Sequence, residues 1–197
     1  MKPQSKLSTT LPVHYFERRK DWASWLKENH ESSPGVWLQL AKKGSGLPSV
    51  SYDEAIEIAL CFGWIDGQKR AHSGQFWLQN FTRRSGKSVW SKINKNKALA
   101  LIKAGKMEPA GLREVDRAKS DGRWDLAYDS ASTATVPNDL QSALDGNTRA
   151  GNFFATLDSR NRYAILFRIQ TARKAETRAK KIAQFVQMLA RHEKVHS

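Results

Sequence analysis

The chain has 197 residues, 40% of them hydrophobic, enough to bury a core in one compact domain. Its 33 lysines and arginines against 19 acidic residues give a net charge of +14, which favours anionic partners and carries no information about fold. A lone cysteine, Cys61, excludes an internal disulfide or CxxC pair; with no signal-like apolar stretch and no run near the ~18 residues of a membrane span, a cytoplasmic protein without membrane insertion is expected.

Residues 1–13 carry Ser, Thr, Pro and Lys without periodicity and read as a mobile arm. A single domain is expected over 14–197, sheet-containing over 14–127 and helical over 137–197. Asp21 is placed to cap a short helix in which Trp22, Trp25 and Leu26 fall at i, i+3 and i+4, and Ser32-Ser-Pro-Gly35 breaks the chain after it. In Val36–Ala41 the alternation sets Val36, Leu38 and Leu40 on one face of a strand. Ser51-Tyr-Asp-Glu54 is a capping box that opens a helix over 52–62, since hydroxyl and carboxylate each satisfy a backbone donor of the other residue. Gly63 can end that helix. Trp64–Arg70 and Phe76–Arg83 then flank the polar Ala71–Gln75 like the arms of a hairpin.

The remainder is helical in pattern. Trp90, Ile93, Ala98, Leu101 and Ile102 form a stripe that stops at Gly105, and Pro109 opens a helix containing Leu112 and Val115. Residues 128–138 read as a loop, followed by a short turn over Leu140–Leu144 and helices through Phe153, Phe154 and Leu157 and through Tyr163, Leu166, Phe167 and Ile169. A last helix turns Ala179, Ile182, Val186 and Leu189 inward. The fold class is therefore α+β: about three antiparallel strands within 36–83, several packed helices, and an all-helical C-terminal part.

Charge is unevenly spread. Residues 83–107 hold eight basic and no acidic side chains, 159–197 hold ten basic against two acidic, and 121–158 hold two basic against six acidic. Aromatic and polar groups meet in the first of these regions and just before it. On a regular strand, Trp64, Asp66, Gln68 and Arg70 share one face, although an exposed Asp66–Arg70 pair by itself contributes only ~0–1 kcal/mol. Asn94 sits on the side of its helix that otherwise packs, four residues from Trp90 and four from Ala98, where an amide is costly unless bonded. Asp66, Arg70, Arg83, Trp90, Ser91 and Asn94 form the candidate site for an anionic small molecule or peptide, with Trp stacking and Arg bidentate contacts as its means.

Other chemistries find less support. Phe81-Thr-Arg-Arg-Ser-Gly86-Lys87-Ser88 resembles the end of a P-loop, but Phe81 stands where the motif needs glycine. Cys61, beside Leu60 and Phe62, reads as a small buried hydrophobe, and no histidine or carboxylate spacing suggests a metal or other cofactor. Asp66 as a general base is the only foothold for an enzyme, so a non-catalytic protein is favoured. The alternative is nucleic-acid binding through Arg84, Lys87, Lys92 and Lys95, joined by Arg178 and Lys181 of the last helix.

The runs Glu54-Ala-Ile-Glu-Ile-Ala-Leu-Cys-Phe-Gly-Trp-Ile-Asp66, Phe81-Thr-Arg83, Ser88-Val-Trp-Ser-Lys-Ile-Asn94, Gly105-Lys-Met-Glu-Pro-Ala-Gly111 and Ala175-Glu-Thr-Arg-Ala-Lys-Lys-Ile182 resemble, in order over most of residues 20–190, the bacterial YdeI or OmpD-associated family, described as bacteriocin-protection proteins. Many members have Thr-Pro-Arg where this chain has Thr82-Arg83-Arg84, a more basic loop. The resemblance implies a role in antimicrobial stress protection and no defined reaction.

Overall fold

The computed structural model describes residues 11–197. In chain order its elements are β1 (Val13–Tyr15), α1 (Arg19–Asn29), β2 (Val36–Ala41), α2 (Tyr52–Cys61), β3 (Trp64–Ala71), β4 (Phe76–Arg83), α3 (Lys92–Lys103), α4 (Pro109–Ser120), α5 (Asn138–Asp145), α6 (Thr148–Ala155), α7 (Ser159–Gln170) and α8 (Ala175–Ala190). The described residues group into two compact units, one comprising the chain up to Ser88 with Lys97–Ala118, the other Val89–Asn96 with Lys119–Ser197. No helix among them is long and apolar enough to cross a membrane.

In the first unit the sheet order is β1-β2-β4-β3. β2 and β3 both pair antiparallel with β4, as the hairpin pattern predicts. β1 adds a fourth strand, parallel to β2, so the sheet is mixed rather than purely antiparallel. It was not legible because three residues are too few for a period. Val13, expected in the mobile arm, opens this strand; residues 1–10 of that arm lie outside the described residues. Val36, Leu38 and Leu40 are buried, and their partners Phe81, Gln79 and Trp77 lie on the same sheet face.

α1 begins at Arg19, before Asp21, which is therefore no cap; Asp21 sits in the first turn and accepts a bidentate pair from Arg18. Trp22 and Leu26 reach the core, whereas Trp25 is half-buried. The capping box of α2 forms as expected, and the backbone N–H and hydroxyl of Ser51 hold the Glu54 carboxyl below its ordinary range. Glycine at 63 takes a left-handed φ of +74°, which stops α2 at the start of β3. Gly105, at φ +64°, ends α3. Leu112, read as part of an apolar stripe, is 38% exposed, since α4 packs through Gly111, Val115 and Ala118 instead.

The second unit buries Leu140, Leu144, Phe154, Leu157, Ile165, Leu166, Ile169, Ile182 and Leu189 in one cluster. What read as a short turn at Leu140–Leu144 is a full helix from Asn138. α6 is capped by Asn147, whose side chain accepts from Ala150 N, and α7 by Asp158, which accepts from Asn161 N. Two apolar assignments fail here: Ala179 is exposed on α8, and Ile93 is 52% exposed on α3, where the stripe narrows to Ala98 and Leu101.

Arg178 ties α5, α7 and α8 together, donating through Nε at 2.6 Å and Nη2 at 2.9 Å to Asp139 and through Nη1 at 3.0 Å to the Ile169 carbonyl. These bonds hold the Asp139 carboxyl below its usual range. A folded-state value depressed in this way stabilises the fold above the unfolded carboxyl's ~3.9 and loses that contribution as pH falls through the lower folded value. Asp139→Asn should therefore melt earlier than the native protein at pH 7, with the gap narrowing below about pH 4 and in high salt, because the pair is partly solvent-screened. Parallel thermal melts across pH check this; a gap that is constant from pH 7 to pH 3 contradicts it.

Candidate functional site

The first unit holds a polar cleft of about 490 Å³ lined by His30, Glu31, Phe62, Gly63, Arg83, Arg84, Ala110, Arg113, Glu114 and Arg117. Four local pieces of sequence build it. The end of α1 supplies His30 and Glu31, the α2–β3 turn supplies Phe62 and Gly63, and the end of β4 supplies Arg83 and Arg84. From α4 come Ala110, Arg113, Glu114 and Arg117, which at i, i+3, i+4 and i+7 occupy one helix face.

Glycine lets these pieces meet. A Cβ at Gly63 would lie 2.9 Å from the Ala110 carbonyl oxygen, and one at Gly111 would lie 2.2 Å from that of Cys61. The backbone of α4 therefore rests directly on the end of α2, with the Glu108 N–H bonding the Cys61 carbonyl at 3.1 Å. On the opposite wall, Arg84 N–H bonds the Gly63 carbonyl at 3.0 Å, and the buried indole of Trp64 donates to the His30 carbonyl at 3.1 Å.

Glu31 is where the basic side chains converge. Its backbone carbonyl accepts from Arg83 Nη1 at 2.8 Å, and its carboxylate Oε1 lies 3.1 Å from Arg113 Nη2 and 3.6 Å from His30 Nε2. His30 Nδ1 is 3.0 Å from the Leu26 carbonyl, so Nδ1 carries the proton and Nε2 faces the cleft. Arg117 bonds the Glu114 carboxylate and donates at 3.3 Å to the Arg84 carbonyl. Guanidiniums outnumber carboxylates four to two along the lining. Such an arrangement suits an anion, which arginine grips through paired N–H groups.

Of the six side chains expected to form the anion site, Arg83 alone lines this cleft. Asp66 is half-buried on β3 and accepts from Tyr52 Oη at 2.8 Å. Arg70 was expected beside it, but the register with β4 shifts between Asp66 and Lys69. This bulge inserts an extra residue, so Arg70 emerges on the other face, stacked 4.3 Å from the Trp37 ring, while Lys69 lies over Trp77. Trp90, Ser91 and Asn94 belong to the second unit. Trp90 is 1% exposed and edges onto Trp124, so its ring is core rather than a stacking platform. Ser91 caps α3, its hydroxyl accepting the Asn94 N–H at 3.1 Å, and Asn94 is half-buried.

The basic residues of the alternative site are mostly engaged. Arg84 is 5% exposed and so is not part of an open phosphate-contacting loop, whereas Lys87 is exposed. Lys92 pairs with Asp129 at 2.7 Å, Lys95 donates to the Trp124 carbonyl at 3.0 Å, Lys181 donates to the Arg168 carbonyl at 3.0 Å, and Arg178 is held by Asp139. Cys61 is buried, and burial pushes its thiol up to about 11. Because the thiolate is the reactive species, iodoacetamide at pH 7.5 should leave Cys61 unmodified in the native protein and label it in urea. Rapid native-state labelling, read by mass spectrometry, would contradict its assignment to the core.

Sequence reasoning missed His30, Glu31, Arg113, Glu114 and Arg117. The pairing of Arg113 with Arg117 on one helix face was readable, but its direction depends on the contact of Gly63 with Ala110.

Residues 14–114 match the model described as Domain of unknown function (DUF8412). Residues 133–192 match the model described as Bacteriocin-protection, YdeI or OmpD-Associated. The first covers every cleft residue but Arg117 and the motifs from Glu54 to Asn94; the second contains the Ala175–Ile182 run. No curated protein and no solved structure matches. The chain belongs, through just over half its length, to the family of the domain of unknown function DUF8412, and carries in its C-terminal part a segment of the bacteriocin-protection, YdeI or OmpD-associated family.

Proposed function

We propose that this protein is a non-catalytic, cytoplasmic binding protein of bacteriocin or antimicrobial stress protection that holds a small anionic ligand in the arginine cleft of its first unit. The observation that carries the reading is the convergence of Arg83, Arg113 and His30 on Glu31, inside a cleft whose lining also includes Arg84 and Arg117. Fixed donors in a partly desolvated concavity bind anions better than the same groups spread over a surface. The C-terminal family match supports the protective role, and the lone buried cysteine suits a reducing compartment.

Thermal-shift titration with phosphate, citrate and short acidic peptides at constant ionic strength tests the binding. A ligand at 100 times its dissociation constant adds about 2.7 kcal/mol to the stability of the state that binds it. The native protein should be stabilised by at least one of these anions, and Arg83→Ala/Arg113→Ala should not. An equal response in the double variant overturns the assignment of the cleft.

Nucleic-acid binding keeps one supporting observation, the +14 net charge. It requires affinity that falls steeply with salt and loss of binding on neutralising the exposed Lys87. Retention of nucleic acid by the purified protein, seen as raised absorbance at 260 nm, favours it over the anion cleft.

A further inference from the structure

Glu31 stands in an unfavourable place for a carboxylate. It directly follows His30, the C-cap of α1, where the helix dipole presents partial negative charge. What holds it there is Arg113, whose Nη2 lies 3.1 Å from Oε1, with His30 Nε2 3.6 Å away. The Glu31 side chain is 72% exposed and that of Arg113 63%, so their pair is screened by water and easily opened. Arg83, by contrast, is fixed to the main-chain carbonyl of Glu31 and keeps its position when the carboxylate leaves.

Resting on the reading of the cleft as an anion site, we infer that the Glu31 carboxylate is an internal stand-in for the ligand, and that the ligand is a compact dianion, phosphoryl or dicarboxylate, which displaces it. A ligand oxygen at the position of Oε1 meets Arg113 Nη2. A second anionic oxygen reaches toward Arg83, whose guanidinium has further N–H groups besides the one given to the carbonyl. Once the Glu31 carboxylate leaves, four guanidiniums face the single carboxylate of Glu114 along the lining, an excess that a dianion offsets better than a monoanion. On displacement the Glu31 side chain swings into water, where its charge is better solvated than beside the α1 terminus.

The test compares the native protein with Glu31→Gln, using inorganic phosphate and malonate as dianions and acetate as the monoanion, by calorimetry at pH 8 and constant ionic strength. Removing the competing carboxylate should tighten both dianions by roughly three- to tenfold, the range expected for losing an exposed ion pair and its repulsion of the ligand. Acetate should remain the weakest of the three in both proteins. Preference for phosphate over malonate, or the reverse, assigns the source of the dianion. Glu31→Gln in an Arg113→Gln background should give no such gain, because the pair is already broken. If both proteins bind dianions with equal affinity, or acetate binds as tightly as they do, the stand-in is overturned while the anion cleft stands. If neither protein binds any of the three, the cleft reading itself fails and takes this inference with it. Glu31 is exposed, so a folded variant is expected, and an unchanged circular dichroism spectrum verifies it.

Discussion

Replacing Trp22 by alanine should destabilise the first unit by about 3–5 kcal/mol, the usual cost of deleting a fully buried aromatic. The side chain is 0% exposed and stands among other rings, with centroids 5.6 Å from Phe16, 5.4 Å from Trp25, 6.5 Å from Trp64 and 5.6 Å from Phe81. It therefore links α1 to the buried sheet face through β3 and β4. Its indole N–H also donates to the Ala55 carbonyl at 3.1 Å, pinning α1 to the start of α2. Trp22→Phe separates the two contributions: the ring contacts largely persist, while a hydrogen bond worth about 1 kcal/mol is lost. Urea denaturation followed by near-ultraviolet circular dichroism measures both. A loss below about 1 kcal/mol for Trp22→Ala would mean that the aromatic cluster is not the organising core of this unit.

Gly111→Ala should cost at least as much as typical overpacking, about 1–3 kcal/mol, although alanine is ordinarily better than glycine inside a helix by about 0.5–1 kcal/mol. The contact distances decide the sign. The new Cβ would fall 2.2 Å from the Cys61 carbonyl oxygen and 2.7 Å from that of Leu60. Neither oxygen can yield easily, since they accept from Glu108 N–H and Gly63 N–H, and moving them loosens the α2–β3 turn. α4 must retreat instead, carrying Arg113 and Arg117 away from Arg83. The variant should thus lose both stability and anion binding. Gly74→Ala is the control, because a Cβ there meets nothing within 4 Å and should leave both properties unchanged. Full anion affinity in a folded Gly111→Ala would show that the close approach does not set the cleft.

The local signals were largely legible. The Ser51–Glu54 capping box, the alternation of Val36, Leu38 and Leu40, and the hairpin arms on either side of Ala71–Gln75 each depend on neighbours a few residues apart, and each formed where expected. What escaped were consequences of contacts between distant segments. The bulge at Gly67 and Gln68 depends on how β3 meets β4, yet it alone reverses the faces of Lys69 and Arg70. Arg84 carries the charge of a surface residue and is buried by the wall that its own main chain forms with Gly63. The cleft as a whole draws on positions from His30 to Arg117, and no window of sequence contains it. Trp90 and Ser91 build a helix start, Ser91 bridging to Tyr128 and capping α3 by accepting the Asn94 N–H.

The short segment Val89–Asn96 has a practical consequence for dissecting the protein. Family boundaries at 114 and 133 invite a cut between two cassettes. The chain, however, passes into the second unit at Val89, returns to the first at Lys97, and leaves it again after Ala118. A fragment ending near Ala118 would keep Trp90 but lose Trp124, and would keep Lys92 but lose Asp129. The complementary fragment would have the reverse deficit, with the Tyr128 main chain missing its partners Trp90 and Lys92. Neither half is a clean expression product, because each lacks ring, ion-pair and main-chain partners of the second unit that the other half carries.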